Sequence, residues 1–528
     1  MKEKRLTMLR KKTFYYFLFC LLTAPIYAQE KPNVLMIVLD DLNDYIGVLG
    51  GHPQTLTPNI DQLASEGVLF TNAHSNVPIC SPSRASFMNG ISPITSGYWG
   101  FGNWLKNETL FNSKSIPEYV RDNGYDAYQT GKVFHISKPK AWTQMGAIAD
   151  YGPMAYDGNK AALHPSNPKA MEELGPLDAT FTSLADVPDV KATKKTTGYK
   201  GWYNTHWKTK GAFRYESAKN RDLLTDEKSV AYFKNKIKEL ENKNANKPFF
   251  IAVGFIRPHT PLVVPQKYYD LFPLETIQIP ILKENDINDT KLKENTKNKE
   301  PRGRLAYRTL TESYTSKERA LQTYIQAYLA SIAFADAMVG ETLAALKSSA
   351  FNKNTIVMLF SDHGYNMGEK EYLFKYCLWE KTTRVPLIIK TLNNKKNAGK
   401  KVSHPVSLID IYPTINDLCN LKGTTVLNDK GAALDGYSLK AFLDNPKTTN
   451  WKGPDVALSI VTSWISKKAS EQHIAVKSDQ FRYIHYANGA EELYDHKQDP
   501  YEWNNLENDS KYSKLKKELK KALFDELN

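Results

Sequence analysis

From its second residue the stretch Asn33 to Leu39 (Asn-Val-Leu-Met-Ile-Val-Leu) is apolar without a break. That pattern predicts a strand buried on both faces of a parallel sheet. Thr355 to Phe360 and Pro248 to Phe255 repeat it. Longer segments with helical spacing, Leu321 to Lys347 and Ser407 to Leu418, predict amphipathic helices packed on that sheet. After Gly436 the pattern changes. Residues Ile474 to Lys477 and Phe481 to Tyr486 alternate as antiparallel strands do, and a charged amphipathic helix is predicted from about Ser510. Two stretches carry weak periodicity. Residues 140–215 hold many aromatics, including Trp142, Trp202 and Trp207, which would either stack on a ligand's sugar rings or cover the sheet. Residues 283–317 are rich in Lys, Asn and Glu and read as a solvated insertion. The pattern predicts a signal segment at 1–28, an α/β domain at 29–440 and a small subdomain at 441–528.

Bulk numbers narrow this picture. The 528 residues, 41% hydrophobic and 12% aromatic, suffice for a large core. Of the net charge of +13, +5 falls in the first 28 residues and +8 in the rest. That excess suits a polyanionic ligand, but the basic-aromatic interleaving of nucleic-acid binders is missing. Residues 1–28 combine a basic start, an apolar core from Phe14 to Leu22 and Ala28 before Gln29, a secretory signal too short to span a membrane. Phe19 before Cys20 argues against lipid attachment, and no later apolar run reaches spanning length. The expected product is exported, periplasmic or secreted, with no stable membrane insertion. Cys80, Cys377 and Cys419 remain, their spacing gives no disulfide framework, and Cys377 and Cys419 are expected as free buried thiols.

Several residues could carry chemistry. The stretch Cys80-Ser81-Pro82-Ser83-Arg84 places a sulfur at a helix N-terminus with Pro82 in the first turn. Cys80 is then either a thiolate activated by the helix and Arg84, or an inert buried thiol. The first apolar run ends in Asp40-Asp41 and that at Thr355 in Ser361-Asp362-His363. Acids at strand ends either cap helices or converge on a hard cation. Lys132 and His135 would face one bound anion or lie on the surface, and His259, between Pro258 and Pro261, is a fixed functional or structural imidazole.

Cys-x-Pro-Ser-Arg with a trailing Gly resembles the signature of sulfatases. So do the Asp40-Asp41 pair, Gly131-Lys132-x-x-His135, Arg257-Pro258-His259-x-Pro261, Asp362-His363 and Lys375, all in family order. His at 363 is similar to the iduronate 2-sulfatase branch. The resemblance implies an alkaline-phosphatase-like α/β fold, a large mixed sheet flanked by helices, with a small C-terminal antiparallel sheet and terminal helix. It implies that Cys80 is oxidised to 3-oxoalanine (formylglycine) by a formylglycine-generating or anaerobic sulfatase-maturating enzyme. The hydrated aldehyde would offer one hydroxyl to attack sulfur and another to release sulfate. It implies one Ca²⁺ on Asp40, Asp41, residue 80, Asp362 and His363, with Asp362 as proton acceptor. Catalytic roles would fall to Arg84, Lys132, His135, His259 and Lys375, with either of the last two as general acid. The expected substrate is a sulfated oligosaccharide, a 2-O-sulfated uronate being one such sugar. A phosphonate or phosphate monoester hydrolase, a choline-type sulfatase and an inactive sugar-binding protein are the competing readings.

Overall fold

The structure, a computed structural model, describes residues 31–190, 197–243, 247–292, 300–392 and 395–527. The expected signal at 1–28 lies outside them. At its centre is a nine-stranded mixed sheet. The strands are β1 (Asn33–Asp40), β2 (Val68–His74), β3 (Asp126–Gly131), β4 (Gln144–Met145), β5 (Phe249–Pro258), β6 (Thr355–Ser361), β7 (Arg384–Lys390), β8 (Lys400–Val402) and β9 (Val406–Ser407). Their order is β8-β2-β7-β6-β1-β5-β3-β4, with β9 also on β2. β1 pairs parallel with both β5 and β6, while β7 runs antiparallel to β6 and to β2. β1 is apolar throughout because both its faces are covered. Leu35, Ile37 and Leu39 pack into one core layer, Val34, Met36 and Val38 into the other.

The first layer holds helices α1 (Pro58–Glu66), α3 (Thr225–Asn242) and α4 (Lys317–Lys347), the second α2 (Cys80–Asn89) and α5 (Ile411–Leu418). By length and composition α4 alone among the described residues could cross a membrane, contrary to the expectation that no later run would. Two thirds of its apolar window is buried against the sheet and its neighbours, so it is a core helix here. The 283–317 stretch is not merely solvated. Residues Arg302–Glu312 form a helix that buries Ala306, Tyr307 and Leu310, an apolar stripe hidden in sequence by intervening arginines. Trp142, Trp202 and Phe213 are core, whereas Trp207 is exposed.

A second sheet, β10 (Ala457–Val461), β11 (His473–Lys477), β12 (Phe481–His485) and β13 (Glu491–Asp495), is an antiparallel meander backed by α6 (Ser513–Asp525). Its first strand docks beside the sequence leading to Cys80. Ile460 N donates to Asn76 O (2.9 Å) and Ser459 Oγ to Ser75 O (2.7 Å). Cys80, Cys377 and Cys419 are all free and buried.

Candidate active site

β1, β3, β5 and β6 run parallel, so their carboxyl ends share one edge of the sheet, and that edge carries Asp40, Lys132, His259 and Asp362. At the end of β1 the backbone of Asp41 adopts the left-handed conformation (φ 65°), a strained choice for a non-glycine residue. Tyr328 Oη, on α4, donates to Asp41 O (2.6 Å), and Asp41 N donates to Asp362 Oδ1 (3.3 Å). Both contacts hold the turn that aims the carboxylate inward.

The helix α2 begins at Cys80, has Pro82 in its first turn and ends at Gly90 in the left-handed region (φ 65°). Cys80 is 1% exposed and its Sγ lies 3.2 Å from both Lys375 Nζ and His363 Nε2. Burial, then Asp40, push its thiol up, outweighing Lys132 and Lys375. Burial thus works against the activated thiolate that a helix N-terminus beside an arginine suggested. Arg84 is occupied elsewhere: its Nε donates to Asp362 Oδ2 (2.7 Å), and its other nitrogens reach the carbonyls of Lys132, Val133 and Leu39.

Lys132 reaches the sheet edge through two glycines. Gly131 sits at φ 69°, and a Cβ there would lie 1.9 Å from Gly254 O, while one on Gly254 would lie 2.0 Å from Lys132 O. Only glycine allows so close a crossing. Lys132 Nζ then pairs with Asp40 Oδ2, and Lys375 Nζ donates to Asp41 Oδ1 (2.7 Å). His259 is fixed by its own loop, Nδ1 donating to Thr260 O at 2.5 Å, which leaves Nε2 to face Asp41 Oδ2 at 3.8 Å. Behind it, Asp226 accepts from the backbone of Ile256 and Arg257 (2.8 and 3.0 Å).

Charge is divided sharply in this buried space. Burial pushes the Asp40 carboxyl up, but Lys132, His259 and Arg84 outweigh it and hold it well below the usual range. Asp41 goes the other way, to about 7, because burial exceeds what Lys375 and His363 return. Burial disfavours the charge on Lys375, yet Asp41 and Cys80 hold its pKa well above the ordinary lysine value. Burial, with Lys132, drives His135 down to about 3, and burial with Lys375 drives His259 well below its usual value. The site thus presents two fixed ammonium groups and two neutral imidazoles, suited to an anionic group and to proton transfer.

Donor atoms of Asp40, Asp41, Cys80 and His363 lie within 4.8 Å of one another, and Asp40 Oδ1 is buried with no hydrogen-bond partner. Two carboxylates beside an imidazole and the side chain at 80 fit a divalent cation. Asp362 stands outside this group, its oxygens taken by Arg84 and by the backbone of Asp41 and His363. Above lies a cavity of about 920 Å³ lined by Cys80, His135, His259 and Lys375. Its other walls include Phe101, Tyr151, Arg302, Tyr376 and Trp464. None of these five was singled out from the sequence. Tyr151 carries the Lys132 ammonium over its ring (4.7 Å) and packs on His259 (4.8 Å). An isolated aromatic in an irregular stretch gives no periodic signal, and its role arises only from where the chain folds back.

Acids and cations gathered at the carboxyl edge of a mixed sheet that lies between two helix layers suit hydrolysis of an anionic ester. Residues 32–421 match the sulfatase family and residues 368–528 the C-terminal region of N-sulphoglucosamine sulphohydrolase. A sulfatase of Formosa agariphila is 36% identical over 509 residues, covering 94% of this chain and 87% of that protein. Iduronate 2-sulfatase of Mus musculus is 28% identical, covering 75% and 70%. The phosphonate monoester hydrolase structure of Agrobacterium radiobacter shares the fold at 21% identity and a TM-score of 0.64, over 94% and 95% of the two chains. The chain belongs to the sulfatase family and is a sulfuric ester hydrolase.

Proposed function

We propose that this protein removes O-sulfate from a sulfated saccharide after export, using a formylglycine made from Cys80 by a maturating enzyme, together with one bound Ca²⁺. The observation that carries the reading is the placement of Cys80. Its sulfur is buried at a helix start, where Lys375 and His363 each approach to 3.2 Å and the acids Asp40 and Asp41 adjoin. As its hydrate, formylglycine supplies one hydroxyl for attack on sulfur and a second whose deprotonation expels sulfate. Asp40, Asp41, His363 and the side chain at 80 would hold the cation, with Asp362 adjoining. The cation would polarise the nucleophile and offset charge on the transferring group.

The chain's own residues divide the remaining work. Lys132 and Lys375, held charged, bind the sulfuryl oxygens and stabilise the charge that builds on them. Arg84 braces Asp362 and the Lys132 carbonyl, fixing the floor of the site. His135, neutral and lining the cavity, accepts the proton that frees sulfate. Because Nδ1–H is committed to Thr260 O, His259 gives a proton to the leaving oxygen through Nε2 only after that nitrogen has been protonated, which the negative charge of a bound sulfate ester beside it favours. Lys375 is less suited to that, since Asp41 and Cys80 engage its ammonium. A saccharide leaving group is supported by the sugar named for the iduronate 2-sulfatase relative and by the aromatic cavity walls. The basic start and apolar core of residues 1–28 support export.

The test is an intact peptide mass across residue 80, made together with sulfate-release assays. Conversion of the thiol to the aldehyde lowers the mass by about 18 Da, and activity should track the converted fraction. Full activity with Cys80 still a thiol, or faster hydrolysis of phosphate and phosphonate esters than of any sulfate ester, overturns the reading.

A further inference from the structure

The cavity is larger than one sulfated sugar requires. At about 920 Å³ it lies near the upper end of the ~300–1,000 Å³ typical of small-ligand sites, and the sulfate-binding groups sit at its floor. At its rim two large aromatic side chains face solvent, Trp464 at 69% exposure and Phe101 at 52%. Both line this cavity, and Gly100, the residue before Phe101, lies against the indole: a Cβ built there would be 4.0 Å from Trp464 Cη2. Phe101 meets the His135 ring edge-on at 5.2 Å, so the rim continues directly into the proposed catalytic groups.

Trp464 is held outward at a cost. Its backbone is left-handed (φ 59°), a conformation bulky residues avoid, and such strain persists only where the surroundings impose it. Here the surroundings are a compact hydrogen-bonded loop. Gln472 is fully buried, accepts from Ser463 N (2.8 Å) and donates to the carbonyls of Ser466 and Lys468 (2.9 and 2.7 Å). Trp464 N donates to Thr462 Oγ1 (3.2 Å). The indole rests 6.4 Å from the Tyr376 ring, leaving most of its surface open. A fixed, exposed indole at the mouth of an anion site fits the apolar C–H face of a pyranose. Also lining the cavity, the Arg302–Asp178 pair (2.5 Å) offers donors and acceptors to ring hydroxyls.

We propose that Trp464, with Phe101 beside it, forms a stacking subsite for the sugar ring next to the sulfated one, making the enzyme selective for sulfated oligosaccharides of two or more rings. This rests on the saccharide reading above. The test compares kcat/KM of the matured enzyme for a sulfated monosaccharide, for a disaccharide carrying the same sulfated sugar, and for an aryl sulfate. The wild type should favour the disaccharide over the monosaccharide by about tenfold, the scale of one aromatic contact. Trp464→Ala should bring that ratio near one, mainly by raising KM for the disaccharide, and Trp464→Phe should restore much of it. A wild type without the preference, or a Trp464→Ala enzyme that keeps it, overturns the subsite. Hydrolysis of the aryl sulfate with no release from any sulfated saccharide instead overturns the saccharide reading, and the subsite with it.

Discussion

His259 and Lys375 lie on either side of Asp41, and their different surroundings separate their roles. Lys375 is tied to Asp41 and Cys80, whereas His259 keeps one imidazole nitrogen free and packs against Tyr151 at the cavity wall. A residue that protonates the departing oxygen matters most when that oxygen is a poor leaving group. His259→Ala is therefore expected to lower kcat/KM by about 10²–10⁴ on sugar or alkyl sulfates and far less on an aryl sulfate with an acidic phenol. Equal losses across a series of leaving groups would return the proton to another residue. Lys132→Ala and Lys375→Ala should instead lower kcat by about 10²–10³ whatever the leaving group, as expected for groups that stabilise charge on the transferring anion. Such residues were legible in the sequence because they cluster in short strings. His135 and Lys132 stand three apart directly after a strand, and Asp40 and Asp41 are adjacent at the end of an apolar one. Asp362 was less legible. Its neighbour His363 joins the four-group cluster, while its own carboxylate faces Arg84 across 278 residues of chain.

At the scale of elements, the site exists because four parallel strands end at one edge, and the tightest point of that edge is the crossing of β3 and β5. Gly131 has both a positive φ and no room for a Cβ against Gly254 O. Gly131→Ala should cost at least about 2 kcal/mol, the sum of backbone strain and displaced backbone, read from denaturant midpoints. It should also lower activity beyond that loss, because Lys132 follows directly. A variant with wild-type stability would show that the crossing is loose. The strands themselves were legible, since Asn33 to Leu39 and Thr355 to Phe360 are apolar on both faces and have one physical home. The Arg302–Glu312 helix was not. Its buried positions Ala306, Tyr307 and Leu310 are outnumbered by arginines and threonines that pack with their stems or pair with acids. A composition rule counts those as solvent-facing. Trp464 and Phe101 were invisible for a related reason, being single exposed aromatics in loops, which only the folded chain brings to one rim.

For the whole molecule the decisive contact is the seam between the large sheet and the C-terminal meander, because that seam carries Trp464 to the cavity. Arg482, on β12 and 1% exposed, spans it, pairing with Glu380 next to β7 and with Glu502 (Nε to Oε1, 2.8 Å), while His496 reaches Glu502 at 2.9 Å. Glu380, His496 and Glu502 sit close enough to hold a metal, but the arginine already supplies their countercharge. Removing it strips both acids of their shared cation and leaves Glu380 to Arg384 (3.0 Å) and Glu502 to His496, so Arg482→Met should destabilise the protein by about 1.5–3 kcal/mol. Acid should loosen the same seam. Burial opposes ionisation of Glu380 and Glu502, but His496 and Arg482 together outweigh it, and both acids titrate below the ordinary value of 4.5. A depressed folded-state carboxyl pKa stabilises above the unfolded value and loses that stability as pH falls through the folded one. His473, on β11 and lining the cavity, acts in the same sense over a higher window. Burial and the nearby His485 hold it at about 4 against 6.5 when unfolded, so between those values the unfolded chain takes up a proton that the folded one refuses. Stability should therefore fall as pH drops from about 6.5 to 4, and His473→Gln, which keeps an acceptor for Ala487 N, should flatten that fall by about one proton's worth of slope. Denaturant midpoints at half-unit steps of pH measure both curves. Parallel curves for the two proteins would place the acid lability of the fold outside His473, and the other histidines that burial holds low, His74 and His135, would then be the groups to replace.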